Sequence, residues 1–315
     1  WNRGSRRYKM CAVVLALILT AAVGYVYFVQ DRSGGSDQIG DNLPIVSTDG
    51  KFNGRYPNSL LTLFYPYTLF RDIVLDQPLP ESDVAFFWHA HKSDERIVKE
   101  MLTSCLGLDL VELNDKKSIK RAIDVNLVSG LTRRHVITSP FIRETAEVFT
   151  MDNFGRMFAV WRHPLDYDLH PALPTFSRPD NWMVRLLSND HDGDLEFKEM
   201  GVAKHVVRQT SVVATVDKLT ASLVRIKDYF GWEYVDGKDE QCIEAIVDAH
   251  NIEETYIDHE SEQWREFYKL NKFDCQVYEI AQSVWRAHIQ TVIPYYLQLQ
   301  RAEPEKEEDE EEGEE

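Results

Sequence analysis

Two short stretches hold the residues best suited to chemistry. His89-Ala90-His91-Lys92-Ser93-Asp94-Glu95-Arg96 follows an apolar run, residues 83–88, and leads into a segment of helical spacing. A strand, a tight turn and a helix N-terminus is the arrangement in which α/β proteins hold phosphate on backbone N–H groups. Here Lys92 would add a point charge and Ser93 a hydroxyl. Against that reading, the stretch has no glycine to let backbone approach an anion, and Asp94 and Glu95 would face it. The alternative is that these two carboxylates simply complement the dipole of the helix they open. The second stretch, Phe158-Ala159-Val160-Trp161-Arg162-His163-Pro164-Leu165-Asp166, ends a buried strand in a cation. A guanidinium at a strand's carboxyl end sits where open α/β sheets bind ligands and suits a phosphate bidentately. A structural Arg162–Asp166 pair is the equal alternative.

Two further clusters carry weaker signals. Residues 188–199 (SNDHDGDLEFKE) space Asp190, Asp192, Gly193, Leu195 and Glu199 as a calcium loop would, but Ser188 stands at the first ligand position. A solvated acidic turn is the plainer reading. His89, His91, His163 and His170 form no i, i+4 pair and match no zinc spacing, so no metal is expected.

The elements that must position these residues show in the hydrophobic pattern. Apolar runs like residues 83–88 recur at 135–138, 157–161 and 211–216, as buried parallel strands give. Between them Ile97, Met101, Leu102 and Cys105 keep helical spacing, as do Leu219, Leu223, Ile226 and Phe230 up to Gly231, a helix stop. Trp264, Phe267, Leu270, Val277, Ile280 and Val284 predict long C-terminal helices reaching about Pro294. The alternation predicts a three-layer α/β domain with a mainly parallel central sheet over residues 83–300. Residues 30–82 read as a stem with one apolar island at 60–70 able to dock on the domain. Residues 301–315, with ten acids against Lys306 from 303 onward, read as a solvated disordered tail.

Composition narrows the function classes. Lys plus Arg is 35 and Asp plus Glu 52, a net charge of −17, which speaks against nucleic acid as a partner. Residues 11–29 carry no charge, and as a helix they would extend roughly 28 Å, close to a bilayer's hydrocarbon thickness. Arg3, Arg6, Arg7 and Lys9 lie in the basic tail, residues 1–10, before this run. They predict a cytosolic amino end, a single-pass signal anchor and a translocated domain. A cleaved signal peptide, with Ala22-Val23-Gly24 as its small-x-small site, is the competing reading, although bulky Tyr25, Tyr27 and Phe28 follow it. Translocation puts Cys105, Cys242 and Cys275 in an oxidising lumen, where one intrachain bridge can form; Cys242 with Cys275 is one candidate pair.

With these residues assembled, the chain resembles the membrane-bound carbohydrate sulfotransferases. In that superfamily a strand enters a Pro-Lys-Ser/Thr-Gly-Gly-Thr/Ser loop that holds the 5′-phosphosulfate of PAPS (3′-phosphoadenosine 5′-phosphosulfate). A later strand ends in Arg-x-Pro-x-x-Arg with a following Ser, and its first Arg and that Ser hold the 3′-phosphate. Residues 86–93 (FFWHAHKS) fall where the first motif belongs and residues 158–166 where the second does. Asn181-Trp182-Met183-Val184-Arg185, Tyr229-Phe230-Gly231-Trp232 and Asn271-Lys272-Phe273-Asp274 with Tyr278 continue the likeness. The resemblance implies a P-loop-like fold, a Golgi type II membrane protein, PAPS as cofactor and a glycan as acceptor. Lys92 would be the catalytic cation on the leaving oxygen, Lys92 and Ser93 would hold the phosphosulfate, and Arg162 the 3′-phosphate. The departures fall on ligand positions. His91 stands for Pro, Asp94 and Glu95 for the Gly pair, and Arg96 for the small hydroxyl residue. Tyr167 stands for the second Arg and His170 for the Ser. A carboxylate about 5 Å from a phosphate costs on the order of 3 kcal/mol at an effective dielectric near 20. Two functions therefore stay open: sulfuryl transfer from PAPS to a glycan hydroxyl, or a catalytically inactive relative acting as a lumenal binding or scaffold protein.

Overall fold

Alternate residues of the central strands face opposite ways, and both sets are buried. In the computed structural model, which describes residues 64–73, 82–166, 170–173, 178, 180–250 and 258–290, five strands form one sheet. They are β1 (Val84–Trp88), β2 (Asp109–Glu112), β3 (His135–Ser139), β4 (Gly155–Trp161) and β5 (Ser211–Thr215). Their order is β2-β3-β1-β4-β5, and every pairing is parallel. The predicted parallel α/β class is therefore what forms.

One core contains Phe86, Trp88, Ile137, Met157, Trp161 and Val213; the other contains Ala85, Phe87, Val136, Phe158, Val160 and Val212. Helices cover both faces. On the first lie α2 (Lys116–Asp124), α3 (Ile142–Ala146), α4 (Trp182–Ser188), α5 (Phe197–His205) and α8 (Glu262–Gln290). On the second lie α1 (Lys92–Glu100), the π turn Met101–Cys105, α6 (Leu219–Phe230) and α7 (Glu240–Ala249). Gly231 stops α6 in the left-handed region at φ 64°, as its position predicts.

The apolar island before β1 does dock. Tyr65–Leu69 forms a 3₁₀ turn, Tyr67 donates its hydroxyl to the Leu187 carbonyl at 2.6 Å, and Phe70 bridges to Gly155 in parallel. A Cβ at Gly155 would lie 2.7 Å from the Phe70 ring, so only glycine admits this crossing.

Cysteine pairing differs from the expected candidate. Cys105 and Cys242 are joined, while Cys275 is a free, buried thiol whose pKa burial pushes up to about 12. The π turn brings Cys105 against the start of α7, whereas Cys275 sits on α8, across the sheet from Cys242. Among the described residues no helix is long and apolar enough to cross a membrane. The predicted span at residues 11–29 and the acidic tail lie outside the described residues.

Candidate functional site

The sheet order makes β1 and β4 neighbours, with Trp88 in register with Ala159. Their carboxyl ends therefore deliver His89 and Arg162 to the same end of the sheet, the end at which open α/β sheets take ligands. The Lys92 to Arg96 stretch is not a loop there. α1 begins at Lys92, so these residues are its first turn. Without glycine nothing holds the chain open around an anion, and the helix starts as soon as the strand has turned.

Asp94 points from that turn onto Arg162. Arg162 Nη2 donates to Asp94 Oδ1 at 2.7 Å and Nε to Oδ2 at 3.5 Å, with Asp94 only 2% exposed and Arg162 8%. Asp166, four residues on, accepts from Nη1 at 3.5 Å, so the expected local pair exists as the longer contact. Burial works against the charge on Arg162, but hydrogen bonding and attraction from Asp94, then Asp166, outweigh it and raise its pKa. The cation proposed for a 3′-phosphate is thus already held by the protein's own carboxylate.

Glu95 is engaged as well. Its Oε1 accepts from Lys99 Nζ at 2.6 Å, and its Oε2 lies 3.1 Å from His170 Nε2 and 3.6 Å from His89 Nδ1. Lys92 is exposed and makes no ion pair among the described residues, and Ser93 lies in the same first turn. His170 is pinned to the loop through its own N–H and the Ala90 carbonyl, 2.9 Å apart. Tyr167 lies outside the described residues.

The other histidines near the two stretches separate. Burial holds His89 well below the usual histidine range, helped by the charge of Lys99. His91 packs edge-on against Trp182, with ring centroids 4.9 Å apart. His163, lowered to about 4 by burial, faces a different space. That space is a cavity of about 520 Å³, lined in part by Asp166, Asp217, Trp264, Tyr268, Tyr278 and Gln282. Asp217 Oδ1 is buried in its wall without a hydrogen-bond partner among the described residues. Sequence reading missed this cavity, because its walls come from the ends of β4 and β5 and from α8.

The calcium-like spacing has an internal explanation. Arg185 Nη1 donates to the carbonyls of Asp190 and Gly193 at 3.1 and 2.9 Å, so a guanidinium ties the turn together from within. Asp190 accepts the Gly193 N–H, and Glu199 accepts the Glu196 N–H. The acidic residues close the turn.

No protein-family model, no curated protein and no solved structure matches this chain. The likeness to carbohydrate sulfotransferases rests on the motif residues themselves.

Proposed function

We propose that this chain is a non-catalytic relative of the carbohydrate sulfotransferases that binds a glycan instead of sulfating it. The observation that carries the reading is the 2.7 Å bond between Asp94 and Arg162. A 3′-phosphate would have to displace a buried carboxylate from its guanidinium, and a phosphosulfate at α1 would meet Asp94 and Glu95. The strand order, with ligand positions at the carboxyl ends of β1 and β4, favours a P-loop-like ancestry.

The cavity favours a sugar. Trp264, Tyr268 and Tyr278 put aromatic rings in its wall against which sugar C–H groups can pack, and Asp217 and Gln282 offer partners for hydroxyls. Asp166, Asp217 and Glu279 in the same wall disfavour a sulfated or phosphorylated ligand. The Cys105–Cys242 bridge supports residence in an oxidising compartment, in keeping with a Golgi type II anchor at residues 11–29. The test is calorimetric titration of the full chain in detergent with PAP, the desulfated product, in the presence of chelator. No heat of binding at millimolar PAP is expected. Tight binding would overturn the reading in favour of PAPS-dependent sulfuryl transfer with Lys92, Ser93 and Arg162 as its nucleotide-binding residues.

A further inference from the structure

We infer that His89, Glu95 and His170 form a binding site for a zinc-type divalent metal ion. Three separate segments converge on it: the end of β1, the first turn of α1 and the loop that ties His170 to Ala90. One ligand atom from each residue lies within 4.8 Å of the other two. Glu95 Oε2 stands 3.1 Å from His170 Nε2 and 3.6 Å from His89 Nδ1. In a tetrahedral site with bonds of about 2.0–2.1 Å, neighbouring ligand atoms are about 3.3–3.4 Å apart, and the two observed edges bracket that spacing.

His89 supplies a second, independent observation. It is 2% exposed, and neither ring nitrogen has a hydrogen-bond partner among the described residues. A buried polar side chain left in that state bears its full desolvation cost, which a metal on Nδ1 would offset. Two imidazoles and one carboxylate are the donor set of zinc and related ions, whereas calcium and magnesium require more oxygen. Three protein ligands leave a fourth position for water or a small ligand.

Two features hold the affinity down. Lys99 places a cation 2.6 Å from Glu95 Oε1, partly balanced by Glu112 at 3.1 Å. His170 Nδ1 accepts the Ala172 N–H at 3.1 Å, so the metal must take Nε2 at the expense of that contact. Among the described residues neither histidine donates to a carboxylate or carbonyl behind it, and such support is typically worth 10–100-fold in affinity. Affinity about 10–100-fold below that of a zinc site with such support follows.

The inference is independent of the glycan reading, and its test uses neither nucleotide nor sugar. The chelator-stripped full chain is titrated with Co(II), and the visible d–d absorption of four-coordinate cobalt is followed. One equivalent is expected, displaced by Zn(II), with at least a tenfold loss of affinity in E95Q and in His170→Gln and no loss in K92A. Both weakened variants alter partly exposed side chains, and near-UV circular dichroism checks that they fold. No d–d band, or unchanged Co(II) affinity in E95Q and His170→Gln, would overturn the proposal.

Discussion

Asn181 and Asn271 hold each other across a break in the C-terminal helix. Asn271 has non-helical backbone angles inside α8, φ −116° and ψ 28°, and its Oδ1 accepts the Asn181 N–H at 3.0 Å. Asn181 Oδ1 in turn accepts the N–H of Phe273 at 2.8 Å and of Asp274 at 3.3 Å, donors the break leaves without helical partners. Asp274 completes the exchange by accepting the N–H groups of Met183 and Val184, both at 2.9 Å, at the start of α4. The two helices therefore cap one another through buried side chains. D274A should lower stability by about 2 kcal/mol, with two buried N–H groups left unmatched. D274N, which keeps one acceptor oxygen, should lose less. Urea denaturation measures both, and equal stability of all three proteins would refute the capping role.

D94A leaves Arg162 buried with Asp166 as its longer-range partner, 3.5 Å away. The expected loss is about 3 kcal/mol, at the low end for breaking a buried ion pair because Asp166 can move in. Thermal unfolding of D94A beside D94N reads it. A loss under about 0.5 kcal/mol would mean the pair is exchanging with solvent.

Replacing Asp94 and Glu95 together by Gly removes two negative charges and restores backbone freedom at the head of α1. PAP affinity should rise at least tenfold, with K92A in the same background cancelling the gain. Absence of any gain would make His170, where the carbohydrate sulfotransferase motif has Ser, the larger obstacle.

Reduction should be costly. The bridge between Cys105 and Cys242 spans 137 positions, and its removal by C105S/C242S is expected to cost about 3–5 kcal/mol through the freed unfolded chain. C275S should leave the bridge intact. Melting with and without reductant separates the two, and identical curves would refute a stabilising bridge.

Stability should fall with acid. Burial lowers His163 and His288 to about 4, so their contribution is complete above the unfolded value near 6.5 and is lost as pH drops through 4. Asp274 acts in the opposite sense: burial raises it to about 7, against the pull of the Met183 and Val184 amides. Its contribution is complete below the unfolded value near 3.8 and is lost as pH rises through 7. The acid loss should therefore be steeper in D274A than in the parent between pH 6.5 and 4. A flat melting profile over that window would contradict both assignments.

What the sequence made legible follows from burial. β1, β3, β4 and β5 are short apolar runs and could be read directly, as could α6 with Gly231 at its end. β2, Asp109–Glu112, carries an acid at each end and lies half-exposed at the sheet edge, so it gives no such signal. Both asparagine stretches stood out as motifs, but their mutual bonding depends on how α4 meets α8. The partner of Arg162 was hidden for the same reason. Asp94 lies 68 positions away and becomes a neighbour only because β1 and β4 pair. His89 and His170, scattered in sequence, converge through the same topology.

The bond between Asp94 and Arg162 also bears on how this surface can change over generations. Replacing Asp94 alone leaves Arg162 to its longer contact with Asp166, and replacing Arg162 alone takes the 2.7 Å partner from a buried carboxylate. Either single step lowers stability before any ligand can compensate. Changing this surface without that loss takes two coordinated substitutions.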